Sequence, residues 1–268
     1  MIEIICDEDN FFSFQRRNVL SKLNARQLKV YNQINKYLEE YLKFYDIRPK
    51  KVISLYKNFL KSYSSDCKKF IETNCYPVQL IDEINTLDRI EYDVTLIISC
   101  LLSFHRFTII DEITNHKYIS ESSLFIGIGP GLEIFLLKDR FEKFEAYDTE
   151  ISNFIKNKFN KNIYEKKFSY KKKLYKNIFA IEIIEHLEKP YELLSELFNS
   201  LDKDGIITLT TAKNIPQFDH LYNFENENDF LQNIEKIGLK VVYKKIIDHQ
   251  SLVKELNANN VFYRLKKI

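Results

Sequence analysis

The stretch SSLFIGIGPGLEIF, residues 122–135, decides the fold. Apolar residues up to Ile126 predict a buried strand, Gly127, Gly129 and Gly131 follow it, and a second apolar pattern from Leu132 predicts a helix. Glycine lets the backbone turn sharply and come close to a ligand, whose polar groups can meet the free amides at the start of a helix. The stretch therefore predicts a glycine turn beside a nucleotide-like ligand.

The sequence downstream of this turn predicts a sheet with crossover helices. The segment FEKFEAYD predicts a second strand that ends at Asp148, 17 residues after Gly131, where a carboxylate can accept hydrogen bonds from two ribose hydroxyls. Short apolar runs then alternate with amphipathic helices, which predicts an α/β fold of the doubly wound, Rossmann-like type over residues 121–268. Further strands are predicted within NIYEKKFSY, NIFAIEII, IITLTT, GLKVVYKKII and VFYRLKKI.

Residues 1–120 predict a separate, all-helical domain. None of the five glycines lies in the first 126 residues, and Pro49 separates two amphipathic helices. We also expect a helix from Val78 to about Ile90 and one continuous buried helix from Asp93 to Thr114. The apolar faces of the first two helices are formed by Leu28, Tyr31, Ile34, Leu38, Tyr41 and Tyr45, and by Val52, Leu55, Tyr56, Phe59, Leu60 and Tyr63.

Composition excludes several classes of protein. The chain has 268 residues, of which 45% are hydrophobic, so it is neither disordered nor fibrous. Its formal net charge of +2 disfavours a nucleic-acid-binding protein. The four cysteines lack metal or redox spacing, so reduced thiols are expected. The acidic N-terminus is unlike a secretory signal, and the longest apolar run is too short to span a membrane. We therefore expect a cytoplasmic protein that binds no membrane.

The stretch NIFAIEIIEHLEKPYELLSELFNSLDKDGIITLTT, residues 177–211, distinguishes between sites for NAD and for S-adenosylmethionine, which share a glycine turn followed by an acid. It resembles the signature after strand four of class I S-adenosylmethionine-dependent methyltransferases, and the resemblance covers residues 121–268. It implies S-adenosylmethionine as cofactor, with Asp148 on the ribose and residues Glu182 to His186 facing the transferred methyl. The methionine part would lie on the glycine turn, formed by Gly127, Ile128, Gly129 and Gly131.

Candidate catalytic residues are Glu185, His186 and His220. His186 suits the removal of a proton from the acceptor near neutral pH, although Glu185 and His186 could equally begin a helix. With Glu182, they resemble the ExxEH arrangement of two metal-using groups, the ubiquinone-pathway O-methyltransferases and the small-RNA 3′-terminal 2′-O-methyltransferases. A divalent ion would there lower the pKa of an acceptor hydroxyl. Alternatively Glu182 lies against the cofactor and His220 shapes the acceptor pocket, and we assign no metal ligand.

The resemblance implies methylation of an oxygen or nitrogen of a small molecule, with the helical region as a lid or a homodimer surface. The turn LFIGIGPGLE also resembles nicotianamine-synthase-like enzymes, which transfer an aminocarboxypropyl group. A non-catalytic binding subunit is a third reading, because Phe125 stands where the family usually has an acid. The nine lysines from Lys156 to Lys176 are interpreted as a solvated face of the protein rather than as a surface that binds an RNA backbone. Near the turn, His105 and Arg106 are candidates for contact with the cofactor carboxylate, whereas His249 is expected on the surface or in a loop.

Overall fold

One mixed sheet organises the chain, and it confirms the predicted doubly wound α/β fold. A computed structural model describes residues 1–76, 88–170, 172–249 and 254–268. The first five strands are parallel, whereas the last strand runs antiparallel between the fifth and the sixth. The strands in the described residues are β1 (Ser122–Ile126), β2 (Lys143–Asp148), β3 (Ile163–Glu165), β4 (Tyr175–Ala180), β5 (Leu201–Lys213), β6 (Leu239–Asp248) and β7 (Asn259–Lys267).

The strand order β3-β2-β1-β4-β5-β7-β6 determines where a ligand can bind. From β1 the chain proceeds outward to β2 and β3, and it then returns to place β4 on the other side of β1. Ligands of doubly wound sheets bind at such a reversal, beyond the carboxyl ends of the strands. At this edge lie Gly127 after β1, Asp148 at the end of β2 and Glu182 after β4.

Helices cover both faces of the sheet. Asn24 and Gln27 form a reciprocal capping box at the start of the third helix, and Pro49 occupies the first turn of the fourth, as its fixed φ allows. Before β1 the described residues form α1 (Ile2–Asp7), α2 (Asn10–Leu20), α3 (Ala25–Phe44), α4 (Pro49–Thr73), α5 (Arg89–Leu102) and α6 (Phe104–Asn115). Between strands they form α7 (Leu132–Leu137), α8 (Asn153–Phe159), α9 (Pro190–Ser200) and α10 (Glu227–Ile237).

The prediction of one helix from Asp93 to Thr114 is wrong, because α5 ends at Leu102 and α6 begins at Phe104. Ser103 has an extended backbone, and its Oγ lies 2.7 Å from Nδ1 of His105. A serine side chain that bonds locally competes with the helical backbone, so the chain turns there. The predicted helix from Val78 to Ile90 falls largely outside the described residues.

The two faces of the sheet have separate apolar cores. Leu124 and Ile126 of β1 pack with α9 and α10, whereas Phe125 packs with the helical region on the opposite face. That second core continues without interruption from α1 to α8, so helices and sheet bury apolar surface together. The domain division at residue 120 remains a prediction.

No single helix of the described residues is long and apolar enough to cross a membrane; only α5 and α6 together reach the required length, and they are bent by 88°.

Candidate cofactor and active site

The glycine turn after β1 requires glycine for two different reasons. Gly127, Gly129 and Gly131 all have positive φ, at 63°, 48° and 71°, a region that other L-residues rarely adopt. At Gly127 a Cβ would also lie 2.9 Å from Cγ1 of Ile183 and closer still to its Cδ1, whereas at Gly129 the nearest atom is Cδ1 of Leu96 at 3.7 Å. The turn is therefore tight at its base and open at Gly129.

Asp148 is joined directly to this turn. Its Oδ2 accepts a hydrogen bond from the backbone amide of Gly129 at 2.9 Å, and its Oδ1 accepts one from the amide of Glu150 at 3.2 Å. Each carboxylate oxygen can accept more than one bond, so both retain capacity for a ligand's hydroxyls. The guanidinium of Arg89 lies 3.8 Å from Oδ2 and pairs with buried Asp93 at 2.9 Å. The structure thus holds Asp148 in place from two sides.

Glu182 enters the same space from the turn after β4. Its φ of 49° is unusual for a side-chain-bearing residue, and its amide donates to Oγ1 of Thr210 at 2.9 Å. Its Oε2 accepts from Arg106 at 3.0 Å and from Asn260 at 2.7 Å, while Oε1 is buried and has no partner among the described residues. The strained turn thus places Glu182 on the wall of the same cavity as the glycine turn.

The predicted catalytic residues Glu185, His186 and His220 lie together, each offering a ligand atom within 4.8 Å of the others. The residues from Ile184 to His186 form a single 3-10 turn rather than the start of α9. Nδ1 of His186 lies 2.9 Å from the carbonyl oxygen of Asp219, and Nδ1 of His220 lies 2.8 Å from that of Ile215. A carbonyl oxygen only accepts, so each Nδ1 carries the proton and each Nε2 keeps a free lone pair.

Burial affects the protonation of two of these groups. Glu185 has no exposed surface, and neither carboxyl oxygen has a hydrogen-bond partner among the described residues. Burial is the main cause that raises the pKa of Glu185 well above its usual value, and the nearby charge of Glu182 raises it further. The backbone amides of Glu185 and Ala212 oppose part of this rise, although neither reaches hydrogen-bond geometry with the carboxyl. Burial lowers the pKa of His220 to about 3, with a further lowering by His186, so its imidazole is neutral near neutral pH.

One cavity of about 450 Å³ joins these features. Gly127, Ile128, Gly129 and Asp148 line it on the side of the glycine turn, and Glu182, His186 and His220 line it on the side of β4. Among the predicted site residues, Gly131 and Glu185 do not line it. Gly131 caps the start of α7, and Glu185 is fully buried beside the two histidines.

Sequence reasoning missed several residues that line the cavity. Asp219 supports His186, with its Oδ2 at 3.4 Å from Nδ1, and Tyr92 donates to the same Oδ2 at 2.9 Å. His249, expected on the surface or in a loop, packs instead against His105 with ring centroids 4.0 Å apart. No local motif marks these residues, because each contact joins segments that are far apart in the sequence.

Among the described residues of the lysine-rich segment from residue 156 to 176, four lysines form ion pairs with acids. The pairs are Lys156 with Glu165, Lys158 with Glu40, Lys173 with Glu145, and Lys176 with Asp202.

Solved structures to which the chain is similar in fold include S-adenosylmethionine-dependent methyltransferases, the class that the sequence resembles. The O-methyltransferase of the trans-AT PKS multienzyme of Brevibacillus brevis, in complex with S-adenosyl-L-homocysteine, is 13% identical over 61% of this chain and 71% of that chain, with a TM-score of 0.47. The N-methyltransferase NodS from Bradyrhizobium japonicum is 14% identical over 60% and 94%, with a TM-score of 0.47. The mitomycin 7-O-methyltransferase MmcR is 9% identical over 80% and 67%, with a TM-score of 0.49. No family model and no curated protein matches the sequence.

Proposed function

We propose that the chain is an S-adenosylmethionine-dependent methyltransferase that acts on an oxygen or nitrogen of a small molecule. One observation carries the proposal: the glycine turn with Asp148 and the imidazole of His186 line the same cavity. The glycine turn with Asp148 is suited to bind a nucleoside, and the imidazole of His186 is suited to remove a proton from an acceptor. A cytoplasmic location fits the four free cysteines.

The charges in the cavity favour a sulfonium over a dinucleotide. A dinucleotide places its pyrophosphate at the start of the helix after the glycine turn. Here Glu133 occupies the first turn of α7 and lines the cavity, where its carboxyl would repel a pyrophosphate. S-adenosylmethionine instead brings a sulfonium and an ammonium group. Apart from histidines, the charged groups among the described lining residues are four carboxyls and two guanidiniums, of Glu133, Asp148, Glu182, Asp219, Arg89 and Arg106.

The residues of the site match the needs of an in-line methyl transfer. The acceptor atom forms a bond to the methyl carbon while the carbon–sulfur bond breaks and its electron pair moves to sulfur, leaving S-adenosylhomocysteine. Alignment of the three atoms supplies much of the rate. His186 would take the acceptor's proton at Nε2, while Asp219 beside Nδ1 would stabilise the imidazolium that forms.

A metal-assisted form of this reaction is the second candidate, because Glu185, His186 and His220 fit a divalent ion. Both Nε2 atoms have free lone pairs, and Glu185 is a buried carboxyl with two unpartnered oxygens. Imidazole and carboxylate together suit zinc, manganese or iron. A bound ion would lower the pKa of an acceptor hydroxyl. Titration with Mn²⁺ tests this candidate: Glu185→Gln and His220→Gln should abolish Mn²⁺ binding, and His116→Gln should not. Equal binding by all variants would refute the metal site.

Isothermal titration with S-adenosylmethionine and S-adenosylhomocysteine tests the proposed function. We expect saturable binding of both ligands, and turnover with an acceptor should release S-adenosylhomocysteine. Release of methylthioadenosine would indicate aminocarboxypropyl transfer instead. Failure to bind either ligand at millimolar concentration would refute the proposal and favour a non-catalytic binding subunit. The homodimer contact through the helical region stays a prediction.

A further inference from the structure

Residues of the helical region line part of the same cavity, which we call its helical half. Tyr56, Phe59, Leu60 and Tyr63 follow one face of α4, and all four line the cavity. The rings of Tyr56 and Phe59 are stacked, with centroids 6.3 Å apart and planes at 20°. Leu96 of α5, together with other apolar residues, completes this wall. The wall therefore presents flat apolar surfaces to a ligand.

Two neutral imidazoles, those of His105 and His249, are among the polar groups that line this half. His105 uses Nδ1 for its bond to Ser103, so its Nε2 is the atom left for a ligand. His249 has a buried Nδ1 without a hydrogen-bond partner among the described residues. Burial keeps both rings uncharged: it lowers the pKa of His249 to about 4 and that of His105 well below its usual value. Leaving such a polar atom unpaired is costly, and a ligand hydroxyl or amine would remove that cost.

The charges of the cavity disfavour an acceptor that carries phosphate. Apart from histidines, the basic residues among its described lining are Arg89 and Arg106. Arg89 pairs with Asp93 and approaches Asp148, and Arg106 pairs with Glu182. A phosphate-bearing acceptor would therefore meet carboxyl groups without a free cation, and a chain of phosphates such as RNA would meet the same obstacle.

We infer that this helical half is the acceptor site and that it takes an uncharged aromatic molecule whose hydroxyl or amino group hydrogen-bonds to the His105–His249 pair. The term acceptor rests on the proposed function, whereas the binding chemistry does not. A cavity of this size and lining is typical of small-molecule sites.

Fluorescence titration with three naphthalenes tests the inference: 2-naphthol, its phosphate ester and naphthalene. The chain has no tryptophan, so excitation at wavelengths beyond the tyrosine absorption band gives little protein background. We expect 2-naphthol to bind at least about tenfold more tightly than 2-naphthyl phosphate, since a buried unpaired charge costs more than a neutral hydrogen bond yields. Equal or tighter binding of the phosphate overturns the inference, and so does failure of both compounds to bind.

Two variants locate the bound probe. Phe59→Ala should weaken 2-naphthol binding about tenfold, and Phe14→Ala, which removes an exposed ring outside the cavity, should not. His249→Phe should weaken 2-naphthol by about 2- to 12-fold, the range of one neutral hydrogen bond, and leave naphthalene unchanged. His116→Phe is the matched control. Equal effects of His249→Phe on both probes would refute the hydrogen bond.

A parallel titration with S-adenosylhomocysteine separates the two proposals. If S-adenosylhomocysteine binds and 2-naphthol does not, the acceptor site is wrong and the proposed function stands. If 2-naphthol binds and S-adenosylhomocysteine does not, the apolar site stands and the proposed function fails.

Discussion

Replacing Asp148 by asparagine is the sharpest test of the cofactor site. Its two oxygens already accept bonds from the amides of Gly129 and Glu150, at 2.9 and 3.2 Å, and each keeps a lone pair for a ribose hydroxyl. Asparagine keeps one oxygen, carries no charge and cannot accept at its NH₂ group, so at least one charged hydrogen bond to the ribose is lost. Such a bond contributes about 1.5–3 kcal/mol, which corresponds to a rise of about 10- to 150-fold in the Kd for S-adenosylmethionine.

Isothermal titration measures this change, and thermal denaturation of the same variant shows whether the fold is intact. Some loss of stability is expected, because the amide of either Gly129 or Glu150 must then face an NH₂ group. Asp139→Asn is the matched control, since that side chain is 85% exposed and pairs with neighbouring Lys138. A change below about twofold in the folded Asp148→Asn protein would refute the ribose assignment.

Three further predictions concern the same cavity. Gly127→Ala should lower the melting temperature more than Gly129→Ala, because both have positive φ but only the first adds a clash; equal shifts would contradict this. Glu133→Gln should weaken the binding of S-adenosylmethionine more than that of methylthioadenosine, which lacks both the sulfonium and the ammonium charge, and equal effects in titration would show that Glu133 does not attract these charges. His220 has a pKa of about 3 in the folded state, so its contribution to stability is present above pH 6.5 and lost as the pH falls towards 3. In urea denaturation, His220→Gln should reduce the pH slope of the unfolding free energy between pH 4 and 5.5 by up to about 1.4 kcal/mol per unit, and an unchanged slope would contradict the shift.

The sequence predicts the part of the site that depends on local order. Three glycines after a buried strand and an acid at the end of the next strand specify a turn and a neighbouring carboxylate, because parallel strands bring their carboxyl ends to one edge. The bond from the amide of Gly129 to Asp148 is the direct result. The position of β7 between β5 and β6 could not be predicted in this way, since strand order among the last elements depends on contacts between distant segments.

Two sequence-based predictions are wrong because they concern polar side chains whose contacts the local pattern does not show. Ser103 interrupts an apolar run without glycine or proline nearby, so periodicity alone extends the helix through it, although serine before an apolar run is itself a signal for a helix start. His249 follows the exposed Asp248 at the end of an edge strand, which indicates a loop or surface residue. His249 packs on His105, and the position of His105 depends on the bend between α5 and α6. A single continuous helix, as predicted, contains no such bend.

Phe125 shows how a departure from a family pattern can have a structural reason. Its side chain lies on the face of β1 that packs against the helical region, stacked on Phe179 with centroids 4.6 Å apart and planes at 10°. Tyr118 and Phe141 also pack on Phe179, so a carboxylate at position 125 would lie among aromatic rings without a partner. A negative group reaches the cavity instead from Glu133 on α7, close to the charge of Arg106. The aromatic core and a carboxyl beside the glycine turn are therefore compatible in this chain, because different elements supply them.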